Sequence, residues 1–331
     1  MTQASRDEFW DASKAALMYL VVLGHAIQII VGEGFFSHPL FKAIYLFHLP
    51  VFFFISGYFA YSSILKRGRS ALGRAALRLL TPVFTIGSCE AIMYIVYQHS
   101  FSWSSFLGCY VLCWFLWCLF ACHILGHVAA LFTHPIWKTI CFLVPIAPCI
   151  LFPNSIPYAN YLSYAWFFFA LGIFAKSRNF NSGHINRNWL WAIFPACLMF
   201  IFFKDDWYIY LCPQRGPLES AGIALFRFIA ALFSGAFFLA LMHQCAAWLR
   251  IAKIGSATLG IFILQSFACA YASKLEYPDF CTQTWFICGV SLLVFLIAYY
   301  IYVLTKRLPL VGFLLYGNLP TNESTSARKH L

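Results

Sequence analysis

The sequence predicts an all-α integral membrane protein, a polytopic bundle of about ten transmembrane helices with both termini cytoplasmic. Three observations carry that prediction. Of 331 residues, 62% are hydrophobic and only 10% charged, where a soluble domain carries roughly 25% charged residues. The mean hydropathy is +0.76. Most of the basic residues sit between apolar runs rather than inside them. There is too little charge to wet a soluble surface, which excludes a cytosolic enzyme, a secreted disulfide scaffold and a disordered chain.

A spanning helix needs ~20 apolar residues. Runs of that kind, broken by polar or Pro/Gly-rich patches, place helices at 12–32, 43–64, 79–98, 107–131, 136–152, 158–175, 189–203, 220–248, 254–273 and 283–305. The fifth and seventh are short and contain Pro145, Pro148 and Pro195, which fits broken or re-entrant segments. Asp7, Glu8 and Asp11 precede the first run and no small-residue cleavage site follows it, so helix one is expected to stay in the membrane. Residues 1–319 read as one transmembrane domain and 320–331 as a disordered cytoplasmic tail.

With the N-terminus cytoplasmic, 17 of the 22 Lys and Arg residues fall on that side. They are Arg6 and Lys14, the five of Lys66–Arg78, Lys138, the three of Lys176–Arg187, Arg250 and Lys253, and the four of Lys306–Lys329. This is the positive-inside asymmetry. It accounts for the net charge of +11 without nucleic acid as a partner. The thirteen cysteines lie mostly in apolar runs, such as Cys109, Cys113, Cys118 and Cys122. They read as small buried hydrophobes, with no zinc-type spacing and no metal expected. Cys212 and Cys281 share a predicted side, and whether they pair is left open.

An ionisable side chain in hydrocarbon costs ~3 kcal/mol or more, so each one is a functional candidate. His25, His48, Glu90 and Arg227 qualify, with Lys14 at the cytoplasmic edge. Lys14 and His25 are eleven residues apart, which at 100° per residue returns to one helix face about 16 Å further along. Helix two runs the opposite way, and His48 enters at a depth similar to His25. Glu90 near the middle of helix three and Arg227 in helix eight complete a titratable layer suited to acid/base chemistry. His123, His127 and His243 lie toward cytoplasmic helix ends and are expected to be interfacial. In the densely basic stretch Lys66–Arg78, read as a loop, Arg74 and Arg78 stand one turn apart and suit the phosphates of a cytosolic donor.

The stretches Trp10-Asp11-Ala-Ser-Lys14, Gly24-His25-Ala26, Phe47-His48-Leu49-Pro50 through Ser56-Gly57-Tyr58, and Arg78-Leu-Leu-Thr-Pro82 resemble the membrane acyltransferase 3 family. Within it the chain is most similar to the fucose 4-O-acetylase-like acetyltransferases. A weaker echo runs from Ile254 to Gln265, where Gln265 replaces the family's His and cannot titrate, leaving hydrogen bonding or packing. Lys14 stands where many relatives have Arg, keeping the charge without bidentate geometry.

The resemblance implies transfer of an acetyl or similar acyl group from cytoplasmic acyl-CoA, a donor substrate rather than a resident cofactor, to a hydroxyl of a cell-envelope carbohydrate. It implies a multi-pass protein of the bacterial cytoplasmic (inner) membrane, with glycan-assembly proteins as conceivable partners. His25 is then expected as general base, His48 to orient the acceptor or stabilise the oxyanion, and Glu90 to orient a His. Lys14, Arg74 and Arg78 are expected to hold the CoA phosphates, and Arg227 the acceptor substrate. The rival reading is a proton-coupled transporter or flippase of a glycan precursor, since buried His, Glu and Arg also make proton relays. A purely structural subunit is the third.

Overall fold

Apolar runs rich in Leu, Ala and Phe satisfy their backbone groups internally in a membrane only as helices. In the computed structural model, which describes residues 8–98, 102–111, 113–147, 159–211 and 215–318, helices are the only regular structure among the described residues. They are α1 (Glu8–Val31), α2 (Pro39–Tyr45), α3 (His48–Gln98), α4 (Trp103–Val111), α5 (Trp114–Leu131), α6 (Pro135–Leu143) and α7 (Ala159–Ser177). After these come α8 (Ile193–Phe202), α9 (Pro217–Leu249), α10 (Thr258–Ala272), α11 (Thr284–Thr305) and α12 (Pro309–Tyr316).

Among the described residues, seven helical stretches are long and apolar enough to cross a membrane, against the ten placed from sequence. The three that fall short do so for identifiable reasons. α6 has 9 residues, about 14 Å of rise, and residues 148–152 of that expected span lie outside the described set. α7 has 19 residues, but Asn160, Ser163, Tyr161, Tyr164 and Lys176 dilute its hydropathy. The expected span 189–203 divides into a 3₁₀ turn, Arg187–Ala192, and the 10-residue α8. The expected tail 320–331 and Cys212 also lie outside the described residues, while Cys281 is buried and free.

The basic stretch expected as a loop is helical, and α3 runs unbroken for 51 residues. It nevertheless reverses. Phe53 lies 4.9 Å from Phe115 and Phe84 lies 5.8 Å from Trp117, two residues apart on α5. A straight helix would hold Phe53 and Phe84 about 46 Å apart. The chain therefore turns back between Ile64, which abuts Gly126 far down α5, and Arg78. The membrane-crossing stretches on either side are separate, Pro39–Leu65 and Ser70–Val96, so the axis bends sharply in the short basic segment between them. Two antiparallel arms result, at the places the sequence put helices two and three.

α1 occupies the centre, packed by α3, α9, α10 and α11, with Trp10, Leu17 and Ile27 fully buried. α3 packs most extensively on α7. There the backbones touch: a Cβ on Gly57 would collide with the Phe169 carbonyl, and one on Gly172 with the Phe54 carbonyl. Reciprocal small residues of this kind let membrane helices approach where no hydrophobic force drives them together. Cys109, Cys113, Cys118 and Cys122 are free and buried in the packing around α5.

Candidate active site

A cavity of about 1300 Å³ lies between α1, α3, α5 and α10. Its wall on α1 is Lys14, Met18, Val21, His25 and Gln28, steps of three and four that keep one helix face over about 21 Å of rise. Lys14, Arg74 and Arg78 line one end, beside Ser256 and Asn318. His25 and His48 line the middle. The far end is aromatic, with Phe35, Phe36, Tyr45, Trp114, Tyr161 and Tyr210. Five residues singled out from sequence thus share one space, although they come from three separate stretches of chain.

At the basic end, Arg74 and Arg78 are both exposed and one turn apart, so their guanidinium groups open on the same mouth. Lys14 pairs with Asp11 at 2.6 Å and its ammonium stands 5.2 Å above the Phe59 ring. The late segment is held to the start of α1 at Gly255, where a Cβ would strike the Asp11 backbone. That contact brings Ser256 and Thr258 to the cavity wall.

His25 Nδ1 lies 2.9 Å from Gln265 Oε1, and the surrounding bonds fix which atom donates. Ser266 spends its hydroxyl proton on the Phe262 carbonyl at 2.8 Å. It can only accept from Gln265, so the amide NH₂ faces Ser266 (3.3 Å) and Oε1 faces the imidazole. An oxygen without a proton can only accept. Nδ1 of His25 therefore carries the hydrogen, and Nε2 of the neutral ring carries the lone pair. Gln265 is fully buried, which makes the arrangement rigid. The residue that cannot titrate thus takes the hydrogen-bonding role left to it, setting the tautomer of the titrating one.

His48 begins α3, with Pro50 in the first turn where a missing N–H costs nothing. Its Nδ1 donates to the Ile44 carbonyl at 2.8 Å, so a neutral His48 also offers a lone pair at Nε2. It is 2% exposed. At the far end, the Tyr208 hydroxyl donates to the Phe36 carbonyl at 2.9 Å. Burial and then the neighbouring Asp205 carboxylate raise this phenol above its ordinary value, which keeps it a donor and holds the segment bearing Phe35 and Phe36 in place.

Glu90 and Arg227 are placed elsewhere. Glu90 lies on the side of α3 facing Cys109 and Cys113, and its Oε2 has no hydrogen-bond partner among the described residues. Arg227 lines a separate pocket of about 20 Å³ behind Tyr45, Leu49 and Tyr210. His123, expected toward a cytoplasmic helix end, lines the main cavity together with Leu116 and Leu119. Their spacing of three and four was the available signal. His127 and His243 do not line it.

A cationic cluster and two imidazole lone pairs lining one cavity of a helical bundle are parts that group-transfer chemistry can use. Comparison with known proteins makes the class specific. The family described as "Acyltransferase domain" matches residues 7–303. The chain belongs to this acyltransferase family, and it is a multi-pass membrane enzyme. It is 30% identical over 306 residues to nodulation protein NolL of Sinorhizobium fredii (strain NBRC 101917 / NGR234), covering 83% of this chain and 81% of that one. It is 27% identical over 291 residues to nodulation protein NolL of Mesorhizobium japonicum (strain LMG 29417 / CECT 9101 / MAFF 303099), covering 79% of this chain and 76% of the relative. No solved structure matches it.

Proposed function

We propose that this enzyme is an O-acetyltransferase of the bacterial inner membrane. It moves an acetyl or similar acyl group from cytoplasmic acyl-CoA to a hydroxyl of a cell-envelope carbohydrate. The observation that carries the reading is the continuity of one cavity from Lys14, Arg74 and Arg78, past His25, to the aromatic end. Positive-inside asymmetry puts the basic end in the cytoplasm. There the two guanidinium groups suit phosphate oxygens, and the pantetheine arm follows the α1 face inward. The aromatic end suits the apolar faces of a sugar ring, whose hydroxyl arrives from the other side.

His25 Nε2 takes the hydroxyl proton as the oxygen attacks the thioester carbonyl, a general-base contribution of roughly 10² to 10⁴ in rate. Gln265 holds that ring in the required tautomer. The lone pair of His48 Nε2 accepts from an acceptor hydroxyl and orients it, which the bond to Ile44 favours over oxyanion donation. Bringing both substrates to one depth supplies the proximity term. The test is mass spectrometry of envelope glycans from cells expressing wild type or His25→Ala at equal protein level. Ester content is expected to fall to background in the variant. Equal ester content would remove His25 from the reaction.

A further inference from the structure

Acyl transfer as proposed leaves one requirement without a residue, a donor for the charge that develops on the thioester carbonyl oxygen. This inference rests on that proposed function. His25 and His48 both commit Nδ1–H to protein acceptors, so each neutral ring offers a lone pair where a proton is needed. Ser266 has given its proton to Phe262, and the Gln265 amide is turned to Ser266.

Tyr45 differs in every respect. It lines the cavity, and its hydroxyl makes no hydrogen bond to any described residue. Its ring is seated on α1 against Gly24, where a Cβ would lie 2.8 Å from the ring edge and 3.4 Å from the hydroxyl oxygen. That places it beside the residue preceding His25. The same ring meets the His48 imidazole edge-on, with centroids 4.5 Å apart at 65°. Phe41 stacks on it at 3.8 Å and Tyr210 abuts it at 5.7 Å, so the ring is fixed while its O–H is uncommitted. A preorganised, uncommitted donor between two groups that handle the nucleophile is what oxyanion stabilisation asks for. Gly24 is then the seat that allows the tyrosine this close to α1.

We propose that Tyr45 is a catalytic residue whose hydroxyl donates to the thioester carbonyl oxygen during acyl transfer. The acceptor oxygen loses its proton to His25 Nε2 and bonds to the carbonyl carbon. The π pair moves onto the carbonyl oxygen, where the Tyr45 O–H holds it. On collapse the C=O re-forms, the C–S bond breaks, and the CoA thiolate leaves with the proton returned by His25. Ester and CoA thiol are the products, and no oxidant or further reactant is consumed.

The test uses the full chain in lipid nanodiscs, with acetyl-CoA as donor and envelope glycans of the expressing cells as acceptor. Tyr45→Phe keeps the ring on Gly24 and removes only the hydroxyl. Its kcat is expected to fall about 10²-fold or more, while the KM for acetyl-CoA changes less than about twofold. Binding of acetonyl-CoA, a ketone analogue that cannot release thiol, is expected to be unchanged. A kcat within threefold of wild type overturns the assignment, and so does joint loss of kcat and acetonyl-CoA binding, which would make Tyr45 a structural residue. Full activity in His25→Ala would instead strike the base reading, and absence of transfer by wild type would strike the proposed function and this inference together.

Discussion

Replacing Gln265 by Leu tests the tautomer argument, because it keeps the side-chain volume nearly constant and deletes both amide groups. The His25 Nδ1–H now bonded at 2.9 Å and the Ser266 oxygen now bonded at 3.3 Å lose their partners in a fully buried position. Leaving a buried donor unsatisfied costs about 1–3 kcal/mol. The ring can avoid that cost by moving its hydrogen to Nε2, where the cavity or a substrate can accept it. That tautomer has no lone pair facing the hydroxyl. At about 1.36 kcal/mol per tenfold, the productive tautomer falls by roughly 5- to 150-fold, and kcat with it. The KM for acetyl-CoA should be nearly unchanged, since the basic mouth is untouched. Gln265→His should recover most of the rate, because an imidazole can also accept from Nδ1–H. The assay is acetyl transfer from labelled acetyl-CoA to envelope glycan in nanodiscs, at matched protein level. A Gln265→Leu enzyme within threefold of wild-type kcat would refute the reasoning.

Other expectations follow from the same geometry. Arg74→Ala with Arg78→Ala should raise the KM for acetyl-CoA about tenfold or more while sparing kcat, measured by initial rates over donor concentration. His48→Ala should raise the acceptor KM more than the donor KM, measured with glycan as the varied substrate. Activity should fall on acidification as His25 Nε2 is protonated and loses its lone pair, seen as an acid limb in kcat/KM. Gly57→Val should drive a side chain into the Phe169 backbone and cost about 1–3 kcal/mol or more, read as a lowered Tm in detergent.

Helical periodicity exposed the one-face relation of Lys14 and His25, and the same stripe recurs as the α1 wall of the cavity. It also gave the reversal between the arms of α3, marked by the basic stretch, though not the persistence of helix through it. Depth along a helix can be read from rise per residue, whereas rotation around the bundle cannot. Glu90 and Arg227 were therefore expected in the layer of His25 on depth alone, and their azimuths place them outside the main cavity. Gln265 was legible as a departure that could not titrate, but its bond to His25 spans 240 residues and requires the fold. Tyr45 carried no signal beyond its place before Phe47-His48, because its setting depends on Gly24 from another helix.

Transfer between compartments requires access to His25 from opposite sides of the membrane. Sealed right-side-out vesicles loaded with acetyl-CoA and given labelled envelope glycan only outside put this to the test. The prediction is ester formation on external glycan by wild type and background levels with His25→Ala. Transfer that occurs only when donor and glycan share a compartment would contradict it.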